Sequence, residues 1–375
     1  MVEALPPVLW RLRLHSSLRP RGTQRGDIRL LQSFLLGEIM DLETSPTTVG
    51  SSVEPKKLSA MTISLDRLDS KFKRIQQLHA LGIVLIPFLG TIAAIILAVY
   101  RGVSAIEIGL LAVMYVITSL AITVGFHRHF SHCTFQTYRG IRILLAICGS
   151  MACQGPIIYW VSNHRRHHQY SDEPGDTHSP YFKSDRPLTG WAGFWHAHVG
   201  WTFDPEITNT FVFGKDLLRD RDIAKVNQLY YAWVALSLLL PTVLGWILIG
   251  NWSGAISGFL WGGCVRLFLT YHVTNSINSV THIWGRRPFD TRERSTNNIW
   301  LAIPTGGEAW HNNHHAFPNS AIFGLEWWQL DLGGWLIRFL KWIHLAWDVK
   351  VPSRNAIAAK KKSGQSTTLD GSTRE

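Results

Sequence analysis

The sequence predicts an all-α integral membrane protein, with four transmembrane helices arranged as two hairpins and a cytosolic helical cap. Three observations lead there. Only 17% of the 375 residues are charged, against roughly 25% in an ordinary soluble protein. The apolar residues gather into four long blocks. The Lys and Arg behind the net charge of +11 lie almost entirely outside those blocks.

The elements follow in chain order. Residues 1–39 hold six Arg and three acidic residues without apolar periodicity. They lack the basic start and apolar core of a secretory signal and fit an organellar transit peptide only loosely. They read as a disordered leader, or as sequence upstream of a true start at Met40 or Met61. Residues 41–60 are rich in Ser, Thr and Pro and read as linker, so that 1–60 forms one leader and linker region. Leu81–Tyr100 then runs 20 residues without a charge, and Ile108–Phe126 runs 19. Leu229–Gly250 runs 22 without a charge, and Gly254–Thr274 runs 21 with only Arg266. Each is long enough to cross a hydrocarbon core of about 30 Å. The predicted spans are therefore 81–100, 106–126, 229–250 and 254–274, paired into hairpins by the short links Arg101–Glu107 and Asn251–Ser253.

A fifth stretch, Ile141–Val161, is interrupted by Arg142, Gln154 and Pro156 and reads as interfacial or buried. Residues 335–347 alternate bulky apolar and basic residues, which suits a helix in the membrane interface or one covering the cap. The tail, 352–375, is polar and reads as disordered. By the positive-inside rule, both termini and the segment between the hairpins are cytoplasmic. The basic residues flank apolar blocks and form no stripe, which argues against nucleic acid. The four Cys have no paired framework, which excludes a disulfide scaffold and favours a reducing compartment.

Of the 17 histidines, nine stand in motifs on the predicted cytoplasmic side. His127 and His132 stand in HRHFSH; His164, His167 and His168 in HRRHH; His311, His314 and His315 in HNNHH; His282 ends NSVTH. One HxxHH is expected roughly 0.03 times by chance in such a chain, so two are a specific signal. On a helix HxxHH gathers three imidazoles on one face. In HxxxxH a regular helix turns the two side chains far apart, so that pair must serve two ions or straddle a helix end. Nine imidazoles suit two metal ions, and imidazole accepts Fe, Zn, Cu or Ni.

In these residues the sequence resembles the membrane-bound fatty-acyl desaturases, especially the Δ9 (stearoyl-type) branch. The matching stretches are TVGFHRHFSHCTFQ, SNHRRHHQYSDEPGD, HVGW, NSVTH and GGEAWHNNHHAFP. The resemblance covers about residues 75–350, the desaturase domain. It implies a di-iron site on the nine named histidines, with Asn278 holding one iron through water. It also implies an external electron donor, of cytochrome b5 or ferredoxin type, and O₂ as co-substrate. The implied reaction removes hydrogen from two adjacent methylenes of a C16–C18 chain and leaves a cis double bond. The family's tunnel positions fall on Tyr115 and Ser119; Trp160 and Thr274 are further candidates for the tunnel wall. No HPGG-type haem segment occurs, so electrons are expected from a separate protein. The implied location is a multi-pass membrane protein with its catalytic face cytoplasmic, in the cell membrane if bacterial.

The chain departs from the acyl-CoA members in two places. Their Arg-Asp pair before HxxHH reads Ser162-Asn163 here, and their Arg-Lys pair after HVGW falls in Thr-Phe-Asp-Pro-Glu. The carrier is thus acyl-CoA, acyl-lipid or acyl carrier protein. A family Trp is Asn275. His129, His178, His196, His198 and His272 read as structural or supporting histidines. Two rival readings remain: a lipid hydroxylase of the same histidine-box type, and a membrane metal transporter.

Overall fold

A computed structural model of the chain describes residues 61–65 and 70–365. The expected leader and linker, 1–60, lies outside the described residues. Within them, three helices are long and apolar enough to cross a membrane: Lys73–Arg101, Ala105–Ser131 and Tyr230–Ile249. The first belongs to α1 (Ser70–Arg101). The second is α2 (Ala105–Leu120), continued without a break by a π-helical stretch, Ala121–Ser131. The third opens the second hairpin. Their outward faces carry Ile86, Leu89, Ile96, Val113 and Ile247, all exposed, as lipid-facing side chains would be.

The first hairpin closes on a capping box. Ser104 accepts from the Glu107 amide, and the Glu107 carboxylate accepts from the Ser104 amide at 2.7 Å. Glu107 is itself buried against Arg101 at 2.7 Å. This is how the only two charges of that link are carried at an apolar boundary.

The next elements form the body around the histidines. They are α3 (Arg139–Ser150), α4 (Ile157–Tyr170), α5 (Gly190–His198) and α6 (Arg221–Gln228). The stretch expected to be interfacial or buried is thus two helices, broken at Met151–Pro156, where Cys153 and Gly155 take positive φ. Ile122, Phe126 and Phe130 of the π stretch pack with Ala146 of α3, Ile157 and Val161 of α4 and Ile223 of α6. That core sets α4 against the end of the second long helix. Thr62–Ser64 pairs antiparallel with Glu206–Thr208, so order begins ahead of the expected start at 75.

α7 (Tyr230–Ile249) turns at Gly250 into Trp252–Ser257, a π stretch Gly258–Val265, and α8 (Arg266–Ser279). The fourth apolar block is therefore helical throughout but changes pitch midway. Gly258 lies where a Cβ would collide with the Pro241 carbonyl, so the two antiparallel helices touch backbone to backbone. Arg266, fully buried, has no carboxylate near it among the described residues. Its guanidinium donates to the carbonyls of Gly262 (3.0 Å), Met151 (2.9 Å) and Ser237 (2.9 Å). It thereby ties both arms of the second hairpin to the end of α3.

The chain then forms α9 (Ile299–Ala302), α10 (His311–Ala316), α11 (Leu332–Trp342) and α12 (Arg354–Gln365). α11 buries Ile337 and exposes Trp335, Phe339 and Trp342, so it both covers the body and offers an apolar outer face. The expectation of a disordered tail from 352 is corrected as far as Gln365. The Ser353 hydroxyl caps the Ala356 amide at 3.2 Å. Lys360 lies over the Phe317 ring and donates to the Ala316 carbonyl, while Lys361 pairs with Glu326. Composition favours a free polar tail; these tertiary contacts hold it as helix.

Arg266→Leu takes the guanidinium from three buried carbonyls, of which that of Met151 keeps the Ser237 hydroxyl, and should cost about 2–4 kcal/mol. Thermal unfolding in detergent should show a clear fall in midpoint, with Arg266→Lys recovering part of it.

Candidate metal centre

The nine expected histidines come together in two groups. The ring nitrogens of His127, His132, His164, His168 and His314 lie within 4.8 Å of one another, and so do those of His167, His282, His311 and His315. The two HxxHH boxes are each divided. In both, the first and third histidines (i and i+4) enter one group and the middle one enters the other. Positions i and i+4 are about 40° apart around a helix, whereas i+3 and i+4 differ by about 100°. The expectation that each box gathers three imidazoles on one face is therefore corrected: one helix serves both groups.

HxxxxH behaves differently. His127 and His132 stand in the same group, because the helix is not regular there. In the π stretch the His132 amide donates to the His127 carbonyl at 3.2 Å, an i→i+5 bond. That bond stacks residues five apart, and His132 sits at the helix end.

Carboxylates aim the rings. Nδ1 of His127 meets Glu308, Nδ1 of His167 meets Asp176 at 2.9 Å, and Nδ1 of His282 meets Asp172 at 2.9 Å. Glu293 lies 3.7 Å from Nδ1 of His315. A proton held at Nδ1 by a carboxylate leaves Nε2 with its lone pair. Glu308 is itself held by Arg128, fully buried, whose guanidinium donates to Glu308 (3.0 Å) and Asp331 (2.8 Å). None of these acids was singled out from sequence. For Asp172, Asp176 and Glu308 the signal was present in SDEPGD after the first box and GGE before the second.

The donor set fits metal ions. Nε2 of His314 faces Nε2 of both His127 (3.0 Å) and His168 (2.8 Å), and Nε2 of His311 faces both His282 (3.0 Å) and His315 (3.1 Å). One N–H cannot serve two acceptors on opposite rings, so lone pair confronts lone pair unless a cation lies among them. Nε2 of His167 is buried with no hydrogen-bond partner. Burial, and then the neighbouring rings, push His132, His164, His168, His311, His314 and His315 well below their ordinary pKa, which keeps them neutral. Burial opposes charge on His282 too, but Asp172 overcomes it and raises that pKa.

Asn278 lies one turn before His282, and its amide donates to Asn275 Oδ1 at 3.2 Å. It lines a narrow cavity together with Ser119, Trp160, Thr274, Pro304 and the rings of His127, His164, His167 and His311. Trp160 stacks on His164, 5.3 Å between centroids at 18°. Gln154, read from sequence only as an interruption, accepts from Trp160 Nε1 at 3.2 Å and donates to Thr274 at 2.8 Å. Tyr115 stands behind the wall: its hydroxyl donates to the Pro304 carbonyl at 2.5 Å.

Four supporting histidines hydrogen-bond away from the two groups: His129 to the Phe135 carbonyl, His196 to the Ser179 carbonyl and Asp204, and His198 to Ser279 and His272. His178 is nearer, grouped with His167 and Asp176, its Nδ1 buried without a partner.

A family model described as Fatty acid desaturase matches residues 104–338. The chain is 47% identical over 313 residues to a hex-5-enoyl-[acyl-carrier protein] acetylenase of Moorena producens, covering 83% of this chain and 96% of that protein. It is 38% identical to an sn-1 stearoyl-lipid 9-desaturase of Anabaena variabilis, covering 71% and 93%. It is 37% identical to the Delta-9 acyl-lipid desaturase 1 of Arabidopsis thaliana, covering 65% and 75%.

Glu308→Gln takes the charge from behind His127 while keeping the shape. Metal affinity should fall about 10–100-fold, as read by chelator competition on the purified protein.

Proposed function

The chain belongs to the fatty acid desaturase family, whose members are oxidoreductases of acyl chains, and on that footing we propose that it introduces a cis Δ9 double bond into saturated C16–C18 chains. The observation that carries this reading is a narrow cavity lined by imidazoles of both converging groups. In this reading His127, His132, His164, His168 and His314 hold one iron and His167, His282, His311 and His315 the other, with Asn278 acting through water. Such a di-iron pair, reduced from outside, supplies the O₂ activation needed to remove hydrogen from an unactivated methylene. The protein's own residues do the rest. Trp160 and Thr274, fixed by Gln154, wall the cavity beside the rings and orient one C–C bond. Ser119, with Tyr115 behind Pro304, closes its far end and limits chain length. Burial of the rings keeps bulk water from the reacting carbons.

The carrier in this reading is a glycerolipid or acyl carrier protein. Ser162-Asn163 stands where acyl-CoA members have a charged pair. Asn163 accepts from Thr208 at 2.5 Å and is engaged inside the fold. Electrons come from a cytochrome b5-type or ferredoxin-type protein. The helical block from Trp252 through α8 is the fourth span, the desaturase domain is 75–350, and the helices around the histidines form a cytoplasmic cap. The membrane is the cell membrane if the source is bacterial. A second reading, conversion of an existing double bond to a triple bond on an acyl carrier protein, is favoured by the 47% identity to an acetylenase.

Expression in a host lacking unsaturated fatty acids tests the first, and the same host supplied with a monounsaturated fatty acid tests the second. A new cis alkene at carbon 9, located by lipid class, supports the first, and an alkyne the second; no new unsaturation in any lipid under either condition overturns both, and activity surviving in His314→Ala overturns the assignment of the rings as metal ligands. Ser119→Trp should shift product toward shorter chains; an unchanged profile removes the assignment of the cavity's far end.

A further inference from the structure

We propose that the segment around α9 dips into the bilayer and anchors the far wall of the cavity in lipid. Residues 295–307 carry no charge. At their tip Trp300 is 87% exposed, Ile303 60% and Ile299 57%, beside Trp284 at 57%. Trp284 meets the Phe194 ring at 5.9 Å between centroids and the other three are large side chains left open; clustered exposed apolar groups of this size mark an interaction surface.

The contacts of the same segment say what covers it. The Pro304 carbonyl accepts from Tyr115 at 2.5 Å and the Thr305 carbonyl from Thr123 at 3.4 Å. Gly306 packs beside Leu120 and Thr123. All of these partners are on Ala105–Ser131, one of the membrane-crossing candidates. Counted from Ala105, about 20 residues at 1.5 Å each cross a 30 Å core. Tyr115, Leu120 and Thr123 all fall within that count. The segment therefore runs alongside the span below the level at which the span leaves the hydrocarbon.

Charge fits the same occupant. Arg286 is bridged to Asn297 through both backbone hydrogen bonds, 2.9 and 2.7 Å. Its exposed guanidinium and that of Arg287 thus border the apolar tip. An apolar tip with Trp and a basic rim is the composition of an interfacial anchor facing lipid headgroups. Asn298 caps α9 by accepting from the Trp300 and Leu301 amides at 3.1 and 3.3 Å. That limits how many bare amides the dip carries into an apolar medium. Pro304 is both the end of this anchor and part of the cavity wall, so the lipid surface becomes a fixed reference for the depth of the cavity.

The inference rests on the reading of Ala105–Ser131 as a span, and the test separates the two. Nitroxide labels are placed in a Cys133→Ser background at Trp300→Cys, Ile303→Cys, Val113→Cys and Arg354→Cys. The full chain is reconstituted in nanodiscs of phosphatidylcholine and phosphatidylglycerol. Collisional broadening by oxygen is compared with that by a water-soluble nickel chelate. Labels at 300 and 303 should lose nickel broadening and keep oxygen broadening, as the label at 113 does; the label at 354 should do the reverse. If 113 reports lipid while 300 and 303 match 354, the surface is open to water or a protein partner and the proposal is overturned. If 113 itself reports water, the span reading fails and the proposal falls with it.

Discussion

Nine imidazoles lie buried within reach of one another, in a setting that resists charge on most of them and turns a nitrogen of each ring toward its group. Each would repel the next if protonated, and burial adds to the penalty. Burial holds His132, His164, His168, His311, His314 and His315 neutral, and a few buried carboxylates behind the other three fix how those rings turn. Glu308, Asp172 and Asp176 take the Nδ1 protons of His127, His282 and His167. Glu308 needs support of its own, because an isolated buried carboxylate is costly. Arg128 and Asp331 supply it. Asp331 also accepts from the Phe323 and Gly334 amides, at 2.7 and 2.8 Å. A single connected network thus runs from the start of α11 to a ring in the first group.

The same constraint explains the irregular helices. An α-helix passing HxxxxH would throw His132 away from His127; the π stretch brings it back. The Ser131 hydroxyl donates to the Phe126 carbonyl at 2.7 Å, five residues earlier, and repeats that pitch with a side chain. Pitch changes of this kind cost stability. The one at Ala121–Ser131 is packed into the core of Phe126, Phe130, Ile157 and Val161.

Placement relative to the membrane follows from the two long helices that end in or near histidine motifs. Ala105–Ser131 delivers His127, and the block ending in α8 delivers Asn278 and then His282. The cavity is lined by residues of both helices, Ser119, Ile122, Thr123 and His127 from the first and Val273, Thr274, Ile277 and Asn278 from the second.

Much of this was legible in the chain itself. The uncharged blocks come from the length of a hydrocarbon core, and three of them form helices long and apolar enough to cross it. The histidine motifs named the rings that meet, because metal-suited spacing is local. Other features were not legible. The division of each HxxHH between two groups depends on which neighbouring helix faces it, and the reunion of HxxxxH depends on a change of helical pitch. The carboxylates behind the rings arrive from 9 to more than 100 residues away. The tail was misjudged because Lys360 and Lys361 look solvated until Phe317 and Glu326 are placed beside them. Sequence alone determined which segments are apolar and which residues can bind a cation, since both are properties of side chains and local spacing. Tertiary structure decided how the nine rings divide and which carboxylates aim them, since both depend on groups that only folding brings within about 3 Å.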